Sequence, residues 1–208
     1  MKHLLLIAAL VFVVAACNLS SKLKSGENSN SSSTSSGNPT TSGGDPAEKP
    51  NPTAAQQALM ASGQTATWDQ QGITWTLPPK WSKTNVTDDI AQFSIGTEAF
   101  LIANISTLGE DFPTEISLRG FHQGAQVRKK NGEVDELNWL ELDGLKGIEF
   151  RESRPKDPDD IRRLQWMTYR KYGGQTQLVN FILSGRGSNF EQHQDELYAI
   201  LYSTKIAH

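Results

Sequence analysis

The sequence predicts an α+β domain in which an antiparallel β-sheet is covered by helices on both faces. Two dipeptides, Asp143-Gly144 and Gly173-Gly174, each separate strand-like runs and are typical of two-residue β-hairpin turns. The run 178–183 (LVNFIL) is apolar on both sides, so such a strand needs cover on both faces. One helix-like segment precedes these hairpins and another follows them. Together they can supply the two covering layers.

The first half of the domain predicts four strands and then a helix. Strands are expected at 66–70 and 73–77, where Ile73, Trp75 and Leu77 alternate with threonines. Two more are expected at 91–95 and 99–106. Pro113 suits a first helical position, and five residues are expected to form one stripe along this helix: Ile116, Gly120, Phe121, Gly124 and Ala125. The two glycines indicate a close approach of the helix to the sheet.

The second half predicts four more strands, at 133–142, 145–153, 161–172 and 175–184, and a final helix. The S-x-x-E pattern of Ser188 and Glu191 predicts a capping box at the start of that helix. The expected order is therefore ββββ-α-ββββ-α. The loop 154–160 (RPKDPDD) lacks the spacing of a calcium loop, which favours a solvated acidic loop over a metal site.

The N-terminus predicts export. Residues 1–16 have a positive start, an apolar run too short to span a bilayer, and a small-residue ending, as a signal peptide does. The segment Val14-Ala15-Ala16-Cys17 resembles the bacterial lipobox, which implies that Cys17 is acylated and anchors the mature chain. An ordinary cleaved signal with an incidental cysteine is the alternative. By resemblance to the sorting rule of diderm bacteria, Asn18 after the cysteine implies the outer membrane, facing the periplasm or the surface, if the host is diderm.

Residues 17–66 predict a disordered linker behind the anchor, and 67–208 the globular domain. The linker is rich in Ser, Asn, Gly and Pro and cannot bury enough apolar surface to fold. A glycan-bearing stalk remains an alternative interpretation. Within this segment 53–62 could form one short helix that needs to dock on the domain.

Three pieces of the domain resemble the PsbP-like family, which includes Mog-type proteins and DcrB-like lipoproteins. They are ITWTLPPKW, the hairpin segments LDGLKGIEFRES and RLQWMTYRKYGGQTQLVNFILS, and the ending LYSTKI. The resemblance covers 72–206. It implies an α/β/α sandwich and an accessory or adaptor role rather than a shared chemistry.

The side chains that usually carry catalysis are scattered in this sequence. His122, His193 and His208 have no metal-ligand spacing and are expected at the surface. Asp88-Asp89 and Glu110-Asp111 are interpreted as loop carboxylates. No cofactor and no metal site is therefore expected. A hydrolase that uses scattered carboxylates remains an alternative.

A few residues are candidates for binding rather than catalysis. Trp81 follows two prolines and is, of the five tryptophans, the best candidate for a semi-exposed partner contact, although core packing is the favoured interpretation. The basic run Arg128, Lys129 and Lys130 closes the first helix and is a second candidate contact. Arg186, Gly187 and Ser188 precede the last helix, where free backbone N–H groups could contact an anion.

These observations predict a membrane-anchored lipoprotein whose domain is a non-enzymatic adaptor or binding module for an envelope protein. From residue 67 onward there are more acidic than basic residues, which is unfavourable for binding nucleic acid. The lipid anchor makes the membrane a partner. A small-ligand-binding lipoprotein is the alternative.

Overall fold

The computed structural model describes residues 46–208, so Cys17, the signal peptide and most of the linker lie outside the described residues. The helices are α1 Ala54–Ser62, α2 Thr114–Lys130, α3 Gly187–Gln192 and α4 Gln194–Tyr202. The strands are β1 Gln64–Trp68, β2 Ile73–Leu77, β3 Ser82–Val86, β4 Ile90–Ile95, β5 Ala99–Leu108, β6 Val134–Leu142, β7 Leu145–Glu152, β8 Ile161–Tyr172, β9 Gln175–Arg186 and β10 Lys205–Ile206. No helix in this part of the chain is long and apolar enough to cross a membrane.

Two antiparallel sheets organise the described residues. The large sheet has seven strands in the order β3-β4-β5-β9-β8-β7-β6, and the small sheet has the order β1-β2-β10. Both predicted hairpins are confirmed. Asp143 and Gly144 have φ of 49° and 87°, and Gly173 and Gly174 have φ of 58° and 77°. The two-residue hairpin turn that these dipeptides predict requires a positive φ at both of its central residues.

Helices lie on both faces of the large sheet, as the sequence predicts. On one face α2 packs against β6, β7 and β8 over a small apolar cluster that includes Ala125, Ile148 and Phe150. On the other face lie the small sheet, α3 and α4, with α1 packed on α4. Trp75 of β2 makes edge contacts with Phe93 and Phe181 of the large sheet at centroid distances of 5.5 and 5.6 Å. This second interface contains most of the buried core.

Two predicted details of the elements are wrong. Strand β3 was not expected, because its sequence SKTNV has no apolar alternation; it forms as an exposed edge strand paired with β4. The final helix is divided into α3 and α4 at His193. Ser188 does not cap it, because Arg186 is the N-cap residue and no side chain caps this end.

The folded elements begin ahead of residue 67, where the sequence predicted the domain to start. Glu48 forms a parallel bridge to Leu140 at the edge of β6, through two backbone hydrogen bonds of 2.8 Å. Helix α1 forms as expected, with a capping box between Thr53 and Gln56. Gln56 then donates to Asp195 of α4 at 2.9 Å, which fixes α1 to the domain.

Candidate functional site

Helix α2 exposes an unusual amount of apolar surface. Pro113 is its N-cap residue rather than its first helical residue, and of the predicted apolar stripe only Ala125 is buried. Ile116 is 74% exposed, Phe121 43% and Val127 57%. These are three of the four large exposed apolar side chains of the described residues, the fourth being Ile161. We call these three side chains the α2 crest. All three lie on one helix, and Phe121 also lines a groove beside it.

One flank of α2 is separated from the sheet by an apolar groove of about 260 Å³. Gly120 and Gly124 of the helix border it opposite Ile148, Phe150 and Met167. A Cβ atom built on either glycine would meet nothing within 4 Å. The expectation that these glycines permit a close approach to the sheet is therefore wrong, because their missing side chains leave open space instead.

The C-terminal end of α2 is basic, as the sequence predicts. The Arg128 guanidinium lies over the Phe150 ring, 5.4 Å from its centroid, and pairs with Glu133 and Glu152 at 3.3 and 3.1 Å. Lys129 and Lys130 are exposed. The groove thus has an apolar wall, the charge of Arg128 at its lining is paired, and Lys129 and Lys130 are the exposed cations at this end of the helix.

The other flank of α2 faces a second, larger concavity of about 520 Å³ between the helix and strands β6, β7 and β8, which we call the cleft. Trp139 lies in its wall between two other side chains. The His122 ring stacks on it with a centroid distance of 4.5 Å, and Lys146 Nζ lies 4.3 Å from its centroid. His122 is thus a partly buried wall residue rather than the simple surface histidine that we expected. The remaining lining is Thr114, Glu115, Leu118, Arg119, Gln123, Gln126, Thr168 and Tyr169.

Trp81 lies in the core rather than at a semi-exposed turn. It is 1% exposed, and its indole N–H donates to the Glu196 carboxylate of α4 at 2.6 Å. His193, which was expected at the surface, is buried, and its Nε2 lies 2.9 Å from Glu98 Oε2. Trp81 therefore has the core packing that the sequence favoured, whereas the expected exposure of His193 is wrong. The partners of both side chains come from parts of the chain about 100 residues away that local sequence patterns do not reveal.

The turn before α3 does not leave its backbone N–H groups free. The Gly187 N–H donates to the carbonyl of Asp160 at 2.9 Å, and the Ser188 N–H donates to that of Pro158 at 3.4 Å. Arg186 is exposed and pairs with Asp159 at 3.5 Å. The acidic loop therefore already occupies the positions that an anion would need.

A buried polar network on the α4 face was not visible in the sequence. Glu149 of β7 is 1% exposed, and burial raises its pKa to about 7. Its Oε2 accepts a hydrogen bond from Asn138 at 3.2 Å, whereas its Oε1 is buried without a partner. Nearby, Tyr198 donates to Glu136 at 2.8 Å and accepts from Arg151 at 3.1 Å. Burial first, and then the nearby Glu149, raise the pKa of the Tyr198 hydroxyl above its usual range.

The carboxylates considered for acid–base work do not meet in either concavity. Asp88, Asp89, Glu110 and Asp111 are all exposed, and Glu115 is the one carboxylate that lines the cleft. Within residues 46–208 no group of three or more His, Cys, Asp and Glu side chains could hold a metal ion. His208 lies at the C-terminus, with its Nδ1 2.8 Å from the carbonyl of Ile206.

No protein-family model and no curated protein matches the chain. The chain is similar to several solved structures. Cyanobacterial PsbP from Synechocystis sp. PCC 6803 has 16% identity and a TM-score of 0.46 over 71% of this chain and 94% of its own. LpqN of Mycobacterium tuberculosis, described as involved in cell envelope biogenesis, has 14% identity and a TM-score of 0.49 over 70% and 86%. A mutant of the protein Mog1 has 12% identity and a TM-score of 0.40 over 69% and 95%.

Proposed function

We propose that this chain is a lipid-anchored envelope protein whose domain is a non-enzymatic binding module for a protein partner. In this proposal residues 1–16 are a signal peptide, Cys17 is the acylated N-terminus, and the segment behind it is a tether. The domain then docks on its partner through the α2 crest and the apolar groove. Export, anchoring and docking are three separate parts of the proposal, and each can fail alone.

The concentration of exposed apolar side chains on α2 carries the docking part. Ile116, Phe121 and Val127 belong to one helix that also borders an open apolar groove. Exposed apolar patches on soluble domains commonly mark interaction sites. The two glycines that leave the groove open destabilise the helix, by about 1 kcal/mol for each glycine relative to alanine. A partner that fills the groove would recover apolar burial there.

The charges around the groove define the chemistry of the partner. Lys129 and Lys130 are exposed at the end of the helix, whereas Arg128 at the groove lining is already paired with Glu133 and Glu152. Electrostatic complementarity favours a partner of the opposite sign. We therefore expect a protein segment with apolar side chains for the groove and acidic side chains beside the basic end.

Site-specific photocrosslinking tests the docking part. The full tethered chain is expressed with a photoreactive phenylalanine analogue at Phe121, and in a matched chain at Lys83, which lies on the exposed edge strand β3. We expect a discrete protein adduct from position 121 and none from position 83. The adduct should disappear when Ile116→Asp is added, because a charge on the crest opposes burial of the apolar face.

Identification of the crosslinked protein by mass spectrometry then permits rebinding with the purified partner. The proposal would be supported if Val127→Asp weakens the affinity for the purified partner by tenfold or more. Equal adducts from both positions, or adducts to lipid alone at position 121, would contradict it; the second result would indicate docking on the membrane surface.

Replacement of Cys17 tests the anchoring part separately. We expect Cys17→Ala to abolish incorporation of labelled fatty acid and to shift the protein out of the membrane fraction. Two or more acyl chains are needed for stable anchoring, and an unacylated chain has none. Retention of both the label and the membrane association in Cys17→Ala would rule out this anchor.

A further inference from the structure

We propose that residues 46–53, which we call the strap, bind reversibly to the edge of β6 and that the protonation state of Glu149 controls their release. The strap is the described segment ahead of α1, and Glu48 attaches it to the sheet. The domain then has a shorter connection to the preceding chain when Glu149 is neutral and a longer one when it is ionised. This inference depends neither on the α2 crest nor on acylation of Cys17.

The strap is attached to β6 by one isolated bridge. The Glu48 N–H donates to the carbonyl of Trp139, and the Glu48 carbonyl accepts from the Glu141 N–H, each at 2.8 Å. In a parallel ladder the next donors from the strap would be the N–H groups two residues before and two residues after Glu48. These positions are Pro46 and Pro50, which have no N–H, so the ladder cannot extend in either direction. An attachment this short can open without unfolding the domain.

The bridge places Glu48 on the same face of the sheet as Glu149. Glu48 lies opposite Leu140, and Asn138, two residues earlier in β6, lies opposite Glu149 of β7. Residues two apart in a strand point to the same face, and so do residues paired across strands. Glu136, two residues before Asn138, therefore lies on this face too, so three carboxyl groups share it.

Glu149 is poorly prepared to carry a negative charge. It is buried, and its Oε1 has no hydrogen-bond partner. Arg151, a cation that acts on it, is already paired with Asp135 and Glu136 at 2.8 and 3.0 Å. Ionisation would therefore add a buried negative charge beside Glu136 and Glu48 that Arg151 cannot neutralise alone.

The charges around Glu149 determine the direction of the effect. Burial is the main reason that the pKa of Glu149 is raised to about 7. The hydrogen bond from Asn138 and the charge of Arg151 lower this pKa, whereas the charges of Glu136 and Glu48 raise it. Since Glu48 raises the pKa of Glu149 while the strap is in place, ionised Glu149 must weaken the strap by the same free energy. A rise in pH through 7 therefore favours release, and a fall below 7 favours the bound strap.

The remaining titratable groups near Glu149 stay neutral over this range. Tyr198 and Tyr202 lie on α4, and burial first, and then the charge of Glu149, raise the pKa of both hydroxyls above their usual range. Release should end before α1, because Gln56 of this helix donates to Asp195 of α4 at 2.9 Å. The freed strap lengthens the connection ahead of α1 by up to about 25 Å, at about 3.3 Å per extended residue.

Electron paramagnetic resonance of a spin label tests the strap directly. The sample is the mature chain from residue 17 with Cys17→Ser, so the cysteine introduced for labelling is the only one. Lys49→Cys carries the label on the strap; the ion pair of Lys49 with Glu141 is long and exposed, at 3.9 Å, so its loss should change little. Ala58→Cys, at an exposed position of α1, is the matched control. Spectra at pH 5 and pH 8 separate mobile from immobile label.

We expect the ratio of mobile to immobile label at position 49 to rise about fivefold or more from pH 5 to pH 8, with little change at position 58. Glu149→Gln cannot ionise and should keep the low ratio at pH 8. Glu115→Gln, the same change on α2, should behave as the parent chain does. Pro50→Ala supplies the missing strap N–H and should lower the ratio at pH 8.

Three results would overturn the inference. They are equal mobility at position 49 at both pH values in the parent chain, an undiminished rise in Glu149→Gln, and an equal rise at position 58, which would mean that α1 opens as well. If Glu149→Gln does not fold, Glu48→Gln replaces it, because it removes the strap carboxylate at an exposed position; an undiminished rise there would also contradict the inference. None of these results bears on docking or anchoring, because the sample contains no partner and no acyl chain.

Discussion

The two faces of the large sheet are built differently. The face that carries α4 and the small sheet contains the main core, in which Trp75, Trp166 and Phe181 pack ring against ring. The face that carries α2 has one small buried cluster, an open groove and a cleft. Core packing stabilises a fold, whereas exposed apolar surface does not. The difference teaches that the first face contains most of the core that stabilises the domain, whereas the second leaves the exposed apolar surface that the proposed docking requires.

The largest effect should come from truncation on the core face. Trp166 is fully buried, stacks on Phe181 at 5.4 Å and donates to the carbonyl of Leu140 at 3.1 Å. Trp166→Ala should lower the free energy of unfolding by about 3–5 kcal/mol, because it creates a cavity and leaves a carbonyl unpaired. Phe121→Ala on the α2 crest should change it by less than about 0.5 kcal/mol. Urea unfolding measures both, and similar losses would contradict the division between the faces.

The second effect is a dependence of stability on pH that belongs to the core face. The folded pKa of Glu149, about 7, lies above its ordinary value of 4.5. The folded state therefore binds the carboxyl proton of Glu149 more tightly than the unfolded state does. The contribution of this proton to the free energy of unfolding is fully present below pH 4.5 and is lost as the pH rises through 7. The difference corresponds to about 3 kcal/mol of unfolding free energy.

Glu149→Gln removes the titrating group and keeps an amide that can interact with Asn138. The free energy of unfolding, measured with urea at pH 5 and at pH 8, should therefore fall less between the two pH values for Glu149→Gln than for the parent chain. Glu115→Gln on α2, which replaces an exposed carboxylate, is the matched control and should behave as the parent does. Equal losses in all three chains would mean that Glu149 is not held as a neutral acid.

The third and smallest effect concerns the glycines of α2. Gly120→Ala with Gly124→Ala should raise the unfolding free energy by about 2 kcal/mol, because alanine favours a helix and the added Cβ atoms meet open space. The same change should reduce the photocrosslink at Phe121, because it narrows the groove. A gain in stability with a loss of binding is expected when residues at a binding site, here the two glycines, are not those that stabilise the fold most.

Gly147→Ala is the contrasting control for the glycine pair. Its Cβ would lie 2.5 Å from a ring carbon of Trp166 and 2.6 Å from the carbonyl oxygen of Met167, so this variant should be less stable than the parent. Thermal unfolding distinguishes the two cases by the sign of the change in Tm. A loss of stability in the α2 double variant would mean that the glycines are structural.

The sequence predicted the parts of the fold that have local signals. The hairpin dipeptides placed β6 to β9 almost to the residue, because their turn chemistry and the apolar alternation of the strands agree. Strand β3 has neither signal. Strand β3 is held by backbone hydrogen bonds to β4, which do not depend on the side chains of β3. The composition of this segment therefore could not reveal the strand.

The candidate site was less predictable, because exposure depends on distant neighbours. Periodicity placed Ile116, Phe121 and Ala125 on one stripe of the helix but could not show that only Ala125 is buried against the sheet. Core packing was the favoured interpretation for Trp81, but its partner Glu196, 115 residues later, could not be identified from the sequence. Glu149 lies in a strand whose sequence, LKGIEFRE, gives no indication of a buried carboxylate. The basic end of α2 was predicted, because a charged run is a local property.

The most direct test of docking through α2 compares the accessibility of the two faces in the native envelope. Val127→Cys on the crest and Lys83→Cys on β3 are introduced separately into the full chain. Each is labelled with a membrane-impermeant maleimide in envelope fractions and after purification, and the modified peptides are measured by mass spectrometry. Docking through α2 predicts that labelling at position 127 is at least about tenfold slower in the envelope than in the purified protein, with little change at position 83. Equal rates at position 127 in both samples would contradict the claim that α2 is the docking face.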